Sequence, residues 1–204
     1  MIMTINLAKQ LGTKLIAGVF LLGLIAGTSF AANTTQVEIQ TSQGSFVVEL
    51  YPDKAPKTVA NFLQYVNSDF YKGTIFHRVI NNFMIQGGGF TRDLTEKPTN
   101  APITNEANNG LLNELGTIAM ARTNDPDSAT SQFFINLTNN QFLNYSSPTP
   151  ELMGYCVFGK VISGLDVVKK IGITPTTSVA GYADVPIKAI TIKSVKVINT
   201  KTAP

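Results

Sequence analysis

The chain has 204 residues, of which 44% are hydrophobic and 14% charged, with 16 basic and 13 acidic side chains. That length suits one domain able to bury a core without staples, and the low charged fraction excludes an intrinsically disordered chain. No block of five or more basic residues occurs, so nucleic acid is not an expected partner.

Residues 1–31 read as a cleaved signal peptide. Lys9 and Lys14 form a positive front, Leu15 to Gly27 is an uncharged apolar run, and Ser29 and Ala31 supply the small residues that cleavage needs. The run is shorter than the roughly 20 residues of a membrane span. Its removal leaves 14 of the 16 basic side chains against all 13 acidic ones. Residues 32–204 are therefore expected to form one exported, nearly neutral domain. It should be free of the membrane after cleavage and monomeric. No linker, low-complexity tract or repeat divides it.

That domain opens with two alternating runs, Val37 and Ile39, then Phe46, Val48 and Leu50, joined by a turn at Gln43-Gly44. Period two with a glycine turn predicts an antiparallel hairpin with one buried face. Pro56 then suits the first turn of a helix, and Val59, Phe62, Leu63 and Val66 repeat at the spacing of one apolar stripe. Five short strand-like runs follow at 74–80, 83–88, 116–121, 132–136 and 157–161. A second helix is predicted over Leu165 to Ile171, capped by Ser163 and Asp166 and ending in Lys169 and Lys170. A final strand spans Ala189 to Val197. Two helices among about eight strands suggest a closed barrel or a sandwich, and periodicity does not choose between them. The polar stretches Thr91 to Asn113 and Ser146 to Pro150 are long enough to line a site.

Few catalytic constellations fit. There is no Gly-x-Ser-x-Gly elbow. His77 is the sole histidine and Cys156 the sole cysteine, so no zinc-type spacing exists and no metal or cofactor is expected. Cys156, in the apolar run Tyr155-Cys156-Val157-Phe158, reads as a small core residue. Gly87-Gly88-Gly89 has no Gly-Lys-Ser/Thr after it and reads as a bulge or a tight backbone approach, not a phosphate loop. What remains is Arg78 among large apolar residues, with Gln86 and Gln132 on neighbouring runs. Taken alone, these fit either ordinary barrel core with an arginine at a strand end, or an apolar pocket holding one cation and two amides.

Phe76-His77-Arg78-Val79-Ile80, Phe83-Met84-Ile85-Gln86-Gly87-Gly88, Gly116 to Ala121, Ser131-Gln132-Phe133-Phe134-Ile135 and Val157 to Val161 together resemble the cyclophilin signature, in family order, over roughly residues 36–198. Asn105-Glu106-Ala107, Ala121-Arg122-Thr123 and Ser128 to Gln132 are most similar to the bacterial exported, periplasmic cyclophilins. The resemblance implies a mainly β fold, a closed eight-stranded antiparallel β-barrel capped by two helices, with a groove on the barrel's outside. It implies peptidyl-prolyl cis/trans isomerase activity on proline-containing segments of exported proteins. Arg78 would be the catalytic arginine. Phe83, Met84, Phe134 and Leu143 would hold the proline ring, Gln86 and Gln132 would bond the substrate backbone, and His77 would shape the site. Ala121, Arg122, Thr123, Phe142 and Tyr155 complete the expected substrate contacts. Three departures from the eukaryotic pattern stand out. Arg122 and Thr123 replace Asn and Ala, Tyr155 replaces His, and Phe142 replaces Trp, which removes an indole donor and implies weak cyclosporin binding. Two other readings compete: a proline-segment-binding chaperone module with little isomerase activity, and a hydrolase built on His77.

Overall fold

Residues 35–198 are described in the computed structural model of the protein, so the segment read as a signal peptide lies outside the described residues. The opening alternation becomes strands β1 (Thr35–Thr41) and β2 (Gly44–Leu50), with Val37, Ile39, Phe46, Val48 and Leu50 all buried. The turn sits one residue earlier than expected. Thr41 Oγ1 donates to Gly44 O at 2.7 Å and accepts from Gln43 N at 3.0 Å.

Strands β3 (Thr74–Ile80), β4 (Met84–Thr91), β5 (Thr117–Met120), β6 (Phe133–Asn136), β7 (Val157–Ser163) and β10 (Ile192–Ile198) complete an antiparallel sheet in the order β10-β1-β2-β7-β5-β6-β4-β3. The sheet curls until its two edges meet. The closing seam is thin: one bridge, Ile75 to Thr191, and hydrogen bonds from Gly73 N to Ile192 O and from Phe76 N to Ile190 O, both 2.9 Å. A separate hairpin, β8 (Thr176–Val179) and β9 (Tyr182–Pro186), was not foreseen from the sequence.

Helix α1 (Pro56–Asn67) buries Val59, Phe62 and Val66, with Leu63 partly exposed. Phe62 packs against Tyr71, Phe133 and Phe158 at centroid distances of 5.3, 5.8 and 5.2 Å. Its N-terminal residue Ala55 offers no capping side chain. The cap comes from far along the chain instead: Glu106 accepts from Lys57 N (3.1 Å), Thr58 N (2.8 Å) and Thr58 Oγ1 (2.7 Å).

Helix α2 (Leu165–Gly172) corrects one expectation. Its N-cap is Gly164, in the left-handed region at φ 75°, and neither Ser163 nor Asp166 makes a capping bond. Ser163 is instead the last residue of β7. A Cβ at position 164 would lie 2.6 Å from Ser45 O, so the turn from β7 into α2 runs against β2 and leaves no room for a capping side chain. Lys169 and Lys170 do lie in the last turn, where cations are favoured.

Two apolar clusters result. The larger fills the barrel and its seams with the helices, and includes Phe46, Phe76, Ile85, Ile118, Phe133, Ile135 and Phe158. The smaller comprises Met84, Ala119, Phe134, Leu143 and Val157. On the strands Met84, Ala119, Phe134 and Val157 alternate with members of the large cluster, so they lie on the other face of the same sheet, outside the barrel.

Candidate active site

A β-bulge places the key cation. Phe76 pairs with Gly87 and Arg78 with Gln86, so β3 advances two residues where β4 moves one. Phe76 and Val79 both face the interior core, and the two residues between them, His77 and Arg78, both line the outer groove. Re-aiming side chains in this way is what such bulges do.

Arg78 lies where two pockets join. The smaller, about 100 Å³, is walled by Phe83, Met84, Phe134 and Leu143, with Ala121, Arg122 and Tyr155 at its rim and Gln86 beside Arg78. All four expected ring-binding residues therefore share one apolar pocket. The larger, about 690 Å³, is polar and contains His77, Thr123 and Gln132 from the expected set. Arg78, Gln86, Ala121 and Arg122 border both. Phe142 is set apart from both. It lies on a 3-10 turn (Gln141–Leu143), is 75% exposed, and stacks on Phe83 at 5.6 Å as a platform at the pocket's edge.

The rim is fixed by its own bonds. Arg122 donates from Nε to Gly154 O at 3.0 Å and from its terminal nitrogen to Thr123 O at 2.8 Å, and its guanidinium lies 4.5 Å over the Tyr155 ring. Tyr155 in turn packs edge-on against Phe134 at 5.6 Å. Thr123 is tied to Ser128 through its backbone N–H and its hydroxyl. Arg122 is thus engaged in holding the loop and the wall, whereas among the described residues the terminal nitrogens of Arg78 make no hydrogen bond.

His77 is 5% exposed, packs 4.6 Å from Phe90, and its Nδ1 has no partner among the described residues. Burial first, and the neighbouring Arg78 charge second, lower its pKa to about 4 against a weaker pull from the Ile75 backbone. The imidazole is neutral at working pH and offers no charge to a reaction. Cys156, buried against Thr58, has its thiol pushed up to about 11 by burial. This is the behaviour of a core residue and not of a nucleophile.

Several site residues escaped sequence reasoning. Three buried asparagines, Asn113, Asn136 and Asn140, are bonded to one another and hold the Leu143 turn: Asn140 Nδ2 reaches Phe83 O at 2.9 Å and Asn113 Nδ2 reaches Leu143 O at 3.1 Å. Buried polar networks of this kind fix a wall's position when fully satisfied. Asp184, on the unforeseen hairpin, pairs with Arg78 Nε at 3.8 Å. Glu96 lines the larger pocket and bonds Gln132. No periodic pattern marks any of these. For Glu96 and Asn113 the one available signal is an acid or amide lying in a long polar loop.

Residues 36–197 match the model of the cyclophilin type peptidyl-prolyl cis-trans isomerase family. The chain belongs to the cyclophilins. It is 58% identical over 163 residues to the peptidyl-prolyl cis-trans isomerase cyp18 of Streptomyces antibioticus, covering 80% of this chain and 98% of that one. It is 53% identical over 161 residues to peptidyl-prolyl cis-trans isomerase B of Escherichia coli, covering 79% and 98%. A solved cyclophilin-type isomerase from Cryptosporidium parvum, crystallised in the presence of the dipeptide Ala-Pro, superposes with a TM-score of 0.69 at 30% identity, covering 81% of this chain and 99% of that one. This cyclophilin is therefore a peptidyl-prolyl cis-trans isomerase, and the hydrolase reading built on His77 falls. The buried, neutral imidazole, whose Nδ1 has no partner among the described residues, agrees with that outcome.

Proposed function

We propose that this cyclophilin isomerises Xaa-Pro bonds in proline-containing segments of exported proteins, with Arg78 as its catalytic group and the smaller pocket as the seat of the proline ring. One observation carries the assignment of the site: the Arg78 guanidinium, held by Asp184 at Nε only, lies where an apolar pocket of about 100 Å³ opens into a longer groove lined mainly by polar side chains. A ring seated in the pocket leaves the chain on its N-terminal side to run along the groove, past Gln86 and Gln132.

The chemistry asks little of the residues. An Xaa-Pro bond interconverts in tens to hundreds of seconds because amide resonance raises a barrier of about 20 kcal/mol. A millisecond turnover needs roughly 6–7 kcal/mol of differential stabilisation. No covalent bond changes partner, so no nucleophile, acid or metal takes part. Twisting the amide localises a lone pair on the proline nitrogen. A guanidinium N–H aimed at that nitrogen binds the twisted state better than the planar one, which is catalysis by differential binding. Arginine suits this because it stays charged and its donors form a rigid fork.

Exchange NMR on a short Xaa-Pro peptide tests the site. Wild type should accelerate the exchange, and Arg78→Ala should lose at least about a hundredfold with its melting temperature unchanged. Undiminished turnover in that variant would remove Arg78 from the mechanism. The periplasmic location rests on the charge, apolar run and small residues of 1–31. Sequencing the N-terminus of the protein recovered from cells should read from Ala32, whereas an intact N-terminus on cytoplasmic protein would overturn export.

A further inference from the structure

Three side chains form a directional chain across the groove floor that ends beside Arg78. Glu96 Oε1 accepts from Gln132 Nε2 at 3.3 Å, and Gln132 Oε1 accepts from Gln86 Nε2 at 3.0 Å. Gln86 is the register partner of Arg78 on the adjacent strand. A carboxylate can only accept and a guanidinium can only donate, whereas each amide has one end of each kind. With an acceptor at one terminus and a donor at the other, one arrangement of the two amides leaves every junction matched. The two bonds present follow it: the Gln86 NH2 is turned to Gln132, which leaves its carbonyl oxygen for a donor on the Arg78 side, with no Gln86–Arg78 bond formed among the described residues.

The backbone is built to hold this chain. Gly89 carries no side chain where a Cβ would lie 2.5 Å from Gln132 Cγ, so the Gln132 side chain lies flat across β4 towards Glu96. The loop bearing Glu96 is tied back to the same strand by the Phe90–Glu96 bridge, by Lys97 N to Gly89 O at 2.9 Å, and by Thr91 N to Thr95 O at 3.0 Å.

We propose that Glu96 is a positioning residue that sets, through Gln132 and Gln86, which face of the Gln86 amide meets Arg78 and the substrate. This rests on the assignment of Arg78 as the catalytic group. Its carboxylate lies at the far end of the relay and needs no contact with the proline. A cation at position 96 would place donors at both termini, and two amides between two donors leave one junction mismatched. That junction would set an NH2 against the new cation, against the other amide's NH2, or against the Arg78 guanidinium.

The test compares Glu96→Gln, Glu96→Leu and Glu96→Lys with wild type and Arg78→Ala, by exchange NMR on an Xaa-Pro peptide. Glutamine can still accept, so Glu96→Gln should stay within about twofold. Glu96→Lys should lose roughly five- to tenfold, the worth of one net hydrogen bond, with Glu96→Leu between them. The side-chain amide signals of Gln86 and Gln132 should move in Glu96→Lys and stay in Glu96→Gln. In a Gln132→Leu background the lysine substitution should cost nothing further, which a purely structural role for the loop would not produce. Equal activity for the glutamine and lysine variants, or an undiminished lysine penalty without Gln132, would overturn the relay. If Arg78→Ala itself keeps full activity, the site assignment fails first. An unchanged melting temperature in each variant separates either failure from misfolding.

Discussion

Lowering the pH should destabilise this protein through one side chain. His77 is the only histidine of the chain, and its pKa falls from 6.5 to about 4 on folding because the ring is buried beside Arg78. A depressed folded-state value means that the unfolded chain binds the proton first as pH falls. The stability is therefore present above about pH 6.5 and lost towards about pH 4. A difference of about 2.5 pKa units corresponds to about 3 kcal/mol in full, of which about 2.5 kcal/mol is gone by about pH 4.5. With a urea slope near 2 kcal/mol/M, the midpoint should drop by about 1 M between about pH 7 and pH 4.5 from this residue alone. Carboxylates titrate in the same range, so the assay is the difference between wild type and His77→Gln, which keeps a neutral polar side chain and cannot charge. The variant should lose about 1 M less over that interval. The imidazole signal, unambiguous with one histidine, should titrate near pH 4 in the folded protein. Equal pH dependence in the two proteins, or a folded-state titration near 6.5, would refute the burial argument and reopen a charged role for His77.

Two further outcomes are expected. Glu106→Ala should cost about 2–3 kcal/mol, because it removes a remote cap and strands the N–H and hydroxyl of Thr58, which is fully buried. That corresponds to a fall of about 6–9 °C in melting temperature by calorimetry, and a change within the scatter would show that water caps α1 equally well. Phe142 stands where the eukaryotic pattern has a tryptophan, so cyclosporin should bind weakly to the wild type, and Phe142→Trp should tighten it by roughly five- to tenfold through one recovered donor. Calorimetry decides this, and tight binding by the wild type would show that the stacked Phe83–Phe142 platform suffices.

The parts of the fold legible in the sequence are those where burial writes a period. Val37 to Leu50 alternates because one face of the hairpin is core, and Val59 to Val66 repeats at helical spacing because α1 covers the barrel end. Gly87 to Gly89 was legible as close approach: a Cβ at each would meet Ile75 O at 2.9 Å, Phe133 at 2.8 Å and Gln132 at 2.5 Å respectively. The β8–β9 hairpin was not legible, because β8 is almost wholly exposed and writes no alternation. Its two-residue turn is Ala180-Gly181, with φ of 50° and 86°. Such a turn is normally announced by Asn or Asp before the glycine, and alanine at a positive φ hides it. The bulge at His77 was equally silent, since a run of buried side chains from Thr74 to His77 reads as strand whichever face each residue takes. The four pocket residues were found by resemblance and not by pattern, because an apolar face turned outward into a groove carries the same period as one turned into the core.

That equivalence explains how one sheet can serve both ends. Met84, Phe134 and Leu143 are at least 92% buried, as core residues are, yet they face away from the barrel and need only a small ring to complete their packing. Arg78, at the lip of the same pocket, keeps 44% of its side chain exposed. A substrate bond in the middle of a long polypeptide cannot be enclosed, since the chain must leave at both ends. The division observed here meets that constraint. The proposed ring seat is the buried, apolar part, and the groove on either side is open. Such openness lets solvent screen the Arg78–Asp184 pair, which as an exposed contact at 3.8 Å contributes little to stability. Its value lies in direction: an acid at Nε leaves the terminal nitrogens of the fork to the proposed substrate site.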